Sequence, residues 1–220
     1  RQYYSDVRIG GPAFDDKPAE FIPGKYVRSG VTFTSRGCNN DCPFCLVPGR
    51  EGPLFEYRTF APGNIIQDNN LAQASRTHIE KVCKMLSAQP RAAVFSGGID
   101  PRRVSDWLAD KIRGLRVAQL FLSADDRSIF PTLERAIKRL SLPRNKTRVY
   151  ALIGYNNDTL EDAADRLETI WKLGGLPFAQ LYQPADHQIK YSQDWRDLAR
   201  IFSRPAATVA YFTNKKRELK

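Results

Sequence analysis

The 220 residues predict an α/β protein with parallel strands. Three observations carry that expectation. Short apolar runs alternate with amphipathic segments of helical period along most of the chain. The runs end in polar or glycine-rich residues, the end at which parallel α/β folds place their functional loops. Composition is ordinary for one globular domain, with 42% hydrophobic and 26% charged residues.

Residues 1–30, rich in Gly and Pro, read as an N-terminal extension packing on the core, and residues 31–220 as the core domain. The first strand is expected over 31–35. A second apolar run, 64–68, ends in Asp68-Asn69-Asn70. The helix after it is expected over 71–86, because Leu71, Ile79, Val82 and Leu86 share a face. Cys83 lies on that face and reads as a core thiol. The third strand, 92–95, runs into Ser96-Gly97-Gly98-Ile99-Asp100, and a helix over 104–115 follows.

The fourth strand, 118–122, ends in Ser123-Ala124-Asp125-Asp126. Its helix turns Ile129, Leu133, Ile137 and Leu140 inward, with Glu134, Arg135 and Lys138 outward. The fifth strand, 148–153, ends at Gly154-Tyr155. Thr159 with Asp162 three residues on resembles a capping box, and Leu160, Ala163, Leu167 and Ile170 form the stripe of the helix it opens. Gly174-Gly175 stops that helix. The sixth strand is expected over 178–182, and a last helix over 193–202 precedes Pro205 and a basic tail. Periodicity alone fits an open doubly wound sheet and a barrel equally well.

The formal net charge of +10 suits a nucleic-acid partner or a phosphate-bearing substrate, and equally a solvated basic exterior. Aromatic residues are not interleaved with the bases as on single-strand stacking platforms. No run approaches the roughly 18 apolar residues of a membrane-spanning helix, and no signal peptide is evident, so no membrane partner is expected. Three of the four cysteines are clustered, which is no disulfide framework and fits a reducing, cytoplasmic location.

That cluster is the most informative feature: Cys38, Cys42 and Cys45, spaced C-x3-C-x2-C. Structural zinc and electron-transfer iron–sulfur clusters take four protein ligands. Here no fourth Cys or His lies close by; the remaining candidates are Cys83, His78 and His187. Three thiolates leave one metal position open, and open positions are where metal chemistry occurs. A zinc knuckle, or a disulfide pair with a spare thiol, is the plainer reading of the same residues. A structural metal on these cysteines would belong to the alternative expectation, a nucleic-acid-binding protein.

The spacing, the aromatic Phe44 before the last cysteine, and the apolar strand feeding the loop together resemble the radical S-adenosylmethionine (radical SAM) superfamily. The resemblance spans residues from about Tyr26 to Tyr182, and only the cysteine loop is highly specific. It implies a partial (β/α)6 TIM-like barrel with parallel strands. It implies a 4Fe–4S cluster on Cys38, Cys42 and Cys45, with SAM on the open iron. Reductive cleavage of SAM would give a 5′-deoxyadenosyl radical that abstracts hydrogen from a substrate, here unidentified. An electron donor such as flavodoxin or ferredoxin is implied as partner.

The superfamily also contacts SAM through a GGE-like motif. Two segments compete for that role: Asp68-Asn69-Asn70, and Gly97-Gly98-Ile99-Asp100. A plain turn is an equal reading of the two glycines. Ser123 and Asp125 match the place of ribose contact, although Asp125 or Asp126 can instead cap the following helix. Gly154 resembles the segment that packs on adenine. Arg50-Glu51-Gly52 reads as an exposed loop charge pair, and Arg144, Lys146 and Arg148 as solvated bases. Gln180, Tyr182 and Gln183 end the sixth strand, where substrate would lie. One spare cysteine argues against an auxiliary cluster. Pro23-Gly24-Lys25-Tyr26 is similar to members that follow a cobalamin-binding domain, so cobalamin use would require a domain outside these residues.

Overall fold

The computed structural model describes residues 28–184 and 188–218. The expected N-terminal extension lies outside them but for its last three residues, as do Pro23-Gly24-Lys25-Tyr26 and His187. The chain runs β1 (Val31–Thr32), β2 (Ser35–Arg36), α1 (Val47–Glu51), β3 (Phe55–Glu56), β4 (Ile65–Ile66), α2 (Arg76–Ser87), β5 (Ala93–Ile99) and α3 (Asp106–Arg113). It continues with β6 (Val117–Ser123), α4 (Phe130–Leu140), β7 (Thr147–Ile153), α5 (Leu160–Lys172), β8 (Leu176–Leu181), α6 (Gln193–Ser203) and α7 (Pro205–Glu218).

Six strands form one sheet in the order β1-β4-β5-β6-β7-β8, and every pairing is parallel. Each strand therefore lies beside the next one in sequence, leaving β1 and β8 as the edges. Parallel neighbours require a crossover, and α2, α3, α4 and α5 supply the crossovers from β4 to β8. Ala93 and Phe95 of β5, Leu120 and Leu122 of β6, and Val149 and Ala151 of β7 pack with the helices in one buried cluster. Fully burying each of its large aliphatic side chains stabilises the fold by about 1.5–3 kcal/mol. The opposite sheet face carries Phe121, Tyr150 and Phe178 in mutual ring contact. Arg148 sits over Phe121 and Phe178, 5.4 and 5.0 Å from the ring centres, so it is a buried base rather than a solvated one.

The helix after the capping box forms as read: Thr159 Oγ1 accepts from Asp162 N and donates to its carboxylate. Other boundaries shift for identifiable reasons. The expected 31–35 strand divides, because Thr34 N donates to the Asp68 carboxylate (2.6 Å) and so leaves the ladder. Beyond it, β2 pairs antiparallel with β3 as a small separate ribbon. The helix expected from residue 71 starts at Arg76, capped by Ser75, after a 3-10 turn at Leu71–Gln73. The third strand does not stop at residue 95: β5 continues through both glycines to Ile99, with an irregular register against β6. Pro205–Glu218 form helix α7 where a basic tail was expected; Thr208 is fully buried, and Phe212 stacks on Trp171 at 4.2 Å.

Candidate active site

The cysteine loop is held mainly by backbone and side-chain hydrogen bonds, with one thiol taking part: Asn40 N donates to Cys38 Sγ (3.4 Å). Gly37 has φ +74°, and a side chain there would meet Pro53 O at 2.1 Å, so only glycine fits. Cys38 N donates to Gly52 O (3.1 Å), closing the loop's base. The Glu51 carboxylate pairs with Arg36 and accepts from Gly37 N (3.2 Å) and Asn69 Nδ2 (2.6 Å). Glu51 is thus no idle surface charge; it ties the loop to the end of β4. Asn39 N donates to Gln73 Oε1 (2.7 Å), and Gln73 Nε2 donates to Asn40 Oδ1 (2.8 Å). Asn40 Nδ2 in turn donates to Asp100 Oδ2 (2.9 Å).

The cysteines themselves are free and half-buried. Burial pushes the Cys42 thiol above its ordinary value, and the neighbouring Cys45, Asp125 and Cys38 push it further. Among the described residues no three His, Cys, Asp or Glu side chains converge closely enough to hold a single ion.

All three cysteines face one cleft of about 420 Å³. Its lining also includes Phe44, Asn69, Asn70, Gly97, Gly98, Asp100, Ser123 and Asp125. Tyr150, Leu152 and Gln180 complete the side formed by β7 and β8. These residues sit at the C-terminal ends of the parallel strands, where an α/β sheet gathers its loops. An adjoining hollow of about 390 Å³ shares Phe44, Asp125 and Leu152 and extends to Tyr155, Asp158 and Arg166. Gly154 lines neither. It has φ +76°, its N–H donates to Asp158, and its carbonyl accepts from Tyr191 Oη (3.0 Å), so it shapes the turn after β7.

The two segments weighed for the GGE-like role are not spatial alternatives. A side chain at Gly97 would meet Asp68 O at 1.7 Å, so the strand ends interlock and line the cleft together. Their polar groups are already engaged. Asp68 accepts from Thr34 N and from the Thr34 and Ser35 hydroxyls, and is a structural anchor. Asp100 forms an ion pair with Arg102 and accepts from Asn40. Asp125 accepts from Leu152 N (2.9 Å), while Asp126 is the residue that caps the next turn.

His78 and Cys83 stay out of the cleft. His78 is buried behind the loop, 3.0 Å from Thr34 Oγ1, and burial lowers its pKa. Cys83 packs at the edge of the core, where burial raises its thiol. The aromatic wall that Phe44 begins passes through Tyr155 to Tyr182, with centroids 5.6 and 4.8 Å apart. Gln73 falls inside the expected helix over 71–86 and Tyr155 at a strand end, so neither carries a pattern that marks a site residue. No family model matches the chain, and no curated protein matches it. Among the described residues no helix is long and apolar enough to cross a membrane.

Proposed function

We propose that this chain is a radical SAM enzyme whose sequentially ordered sheet is a partial (β/α)6 barrel. The observation that carries the reading is one cleft holding three free cysteines together with the polar ends of β4, β5 and β6. Cys38, Cys42 and Cys45 would hold a 4Fe–4S cluster. When bound, such a cluster supplies one electron to the SAM sulfonium, whose carbon–sulfur bond breaks to methionine and a 5′-deoxyadenosyl radical.

The chain's own residues do the rest. The strand ends carrying Asn70, Gly98, Ser123 and Asp125 offer close backbone approach and hydrogen-bonding groups to the amino, carboxylate and ribose portions of SAM. Phe44, Val47 and Leu152 give the cleft an apolar wall against which SAM would pack. Gln180 lines the cleft on the β8 side, where the substrate, a molecule bearing an abstractable hydrogen, would lie; Tyr182 stands behind it against Tyr155.

Anaerobic reconstitution with iron and sulfide tests this. The expected protein is brown, and on reduction with dithionite it releases 5′-deoxyadenosine from SAM. Cys42→Ala should lose the iron, while Cys83→Ala should keep it. Stoichiometric zinc with no SAM cleavage would sink the proposal and favour a nucleic-acid-binding protein with a structural metal.

A further inference from the structure

The residues that lead into the cysteine loop belong to a buried polar chain outside the cleft. Thr34 and Ser35 are fully buried, and Asp68 and His78 are buried with them. Such burial is tolerated only where each polar group is bonded. With Asp68 ionised, Thr34 Oγ1 donates its one hydrogen to Asp68 Oδ2, so it can only accept from His78 Nε2, 3.0 Å away. That contact fixes the tautomer: the neutral ring carries its proton on Nε2. Nδ1 is left facing Glu56 Oε2 of β3 at 3.8 Å, beyond hydrogen-bond reach. Glu56 accepts instead from Ser75 N and Ser75 Oγ, while His78 N donates to Ser75 Oγ at the cap of α2. His78 thus ties the entry of the cysteine loop to the first turn of α2.

The surroundings favour the neutral ring. His78 lies in the first turn of α2, where the positive helix end opposes a cation. Lys81 follows one turn on, 5.1 Å from the centre of the Phe60 ring, and that ring meets the imidazole edge-on with centres 5.7 Å apart. Against these stand two carboxylates, Glu56 and, beyond Thr34, Asp68. Burial outweighs both and holds the ring below its ordinary 6.5. We propose that His78 is a proton-sensitive positioning residue: neutral, it pins Thr34 at the entry to the cysteine loop, and protonated, it releases that entry. A charged ring can be solvated only by turning out toward water, and turning out takes Nε2 away from Thr34. The sign follows from linkage. The hold is complete above about pH 6.5 and is lost as pH falls below it. Asp68, raised by burial, acts with the opposite sign and tightens the segment in acid.

This hold acts on the chain itself and does not rest on the radical SAM reading. Two measurements on the full chain test it. His187→Asn leaves His78 as the only histidine. Long-range proton–nitrogen NMR spectra of that variant should show the Nε2–H tautomer near neutrality and a titration midpoint below 6.5. Hydrogen–deuterium exchange of the wild type, corrected for its intrinsic pH dependence, should quicken at Ser35–Arg36 and Phe55–Glu56 as pH falls below about 6.5. The limit for one proton is about tenfold per pH unit. Thr147–Ile153 should show no such change. His78→Gln, whose amide can still donate to Thr34 but cannot titrate, should abolish the quickening. Neither the spectra nor the wild-type exchange depends on the folding of His78→Gln. The proposal is overturned if the neutral ring carries its proton on Nδ1, or if its midpoint lies at or above 6.5. It is equally overturned if exchange slows in acid, as it would were Glu56 to accept from a charged His78, or if His78→Gln quickens as the wild type does.

Discussion

Asp100 and Asp125 follow neighbouring strands and line one cleft, yet their surroundings drive them in opposite directions. Burial pulls Asp100 upward, but hydrogen bonds from Arg102 and Asn40 outweigh it and hold the carboxyl below its ordinary 3.8. Asp125 is raised by burial, which the Leu152 N–H and Arg166 only partly offset. A depressed acid contributes stability that is present above its unfolded pKa and lost as pH falls through the folded one. The Asp100 contribution should therefore be full near neutrality and vanish in acid. Arg102 is 56% exposed, so screening keeps the contribution near about 1 kcal/mol. Urea unfolding of wild type and Asp100→Asn checks this. The wild-type advantage should shrink between about pH 7 and about pH 3, and a constant difference would contradict the assignment. Asp125 has the opposite sign: its contribution is present in acid and lost as pH rises through its raised value.

At the level of elements, the two glycines of β5 make a graded prediction. Gly97 is packed against the Asp68 backbone, with no flexible side chain to move aside. Gly98 has φ +92° but only the Tyr150 ring nearby, at 3.7 Å. Gly98→Ala should cost about 1–2 kcal/mol of backbone strain. Gly97→Ala should cost more than about 3 kcal/mol, or prevent β4 and β5 from pairing. Thermal unfolding of the two variants should rank them in that order; equal losses would mean the strand ends are less tightly interlocked than described.

The same strand shows what sequence reading can and cannot reach. Its apolar half announced itself by composition, and so did the helix opened by Thr159, because cap and stripe are local signals. The continuation through Gly97 and Gly98 was hidden, since glycine carries no strand propensity and its reason is a backbone 29 residues earlier. Helix α7 was hidden differently. Pro205 suggests a break, yet proline suits a first turn, and the consecutive apolar residues Val209, Ala210, Tyr211 and Phe212 surround the helix instead of forming one amphipathic stripe. The cysteine loop and the polar strand ends were legible because they are contiguous. Glu51, Gln73 and Asn40 were not, because their partners lie 14 to 60 residues away.

Over the whole molecule, each strand pairs with its successor, but the ladder thins toward the N-terminal edge. Six residue pairs join β7 to β8, four join β6 to β7, and two join β1 to β4. The segment bearing the cysteines thus hangs from the weakest seam, secured chiefly by Asp68 and Glu51. Local opening follows local bonding. Hydrogen–deuterium exchange should be faster at Val31–Thr32 and Ser35–Arg36 than at Thr147–Ile153 or Leu176–Leu181, and uniform protection would contradict this. The consequence concerns the order of assembly. The broad C-terminal part of the sheet can be finished while the cysteine segment still breathes. Under the proposed function, the cluster on those thiols would be installed in an already folded chain, and stripped from it again, as a fitting is changed without taking down the wall.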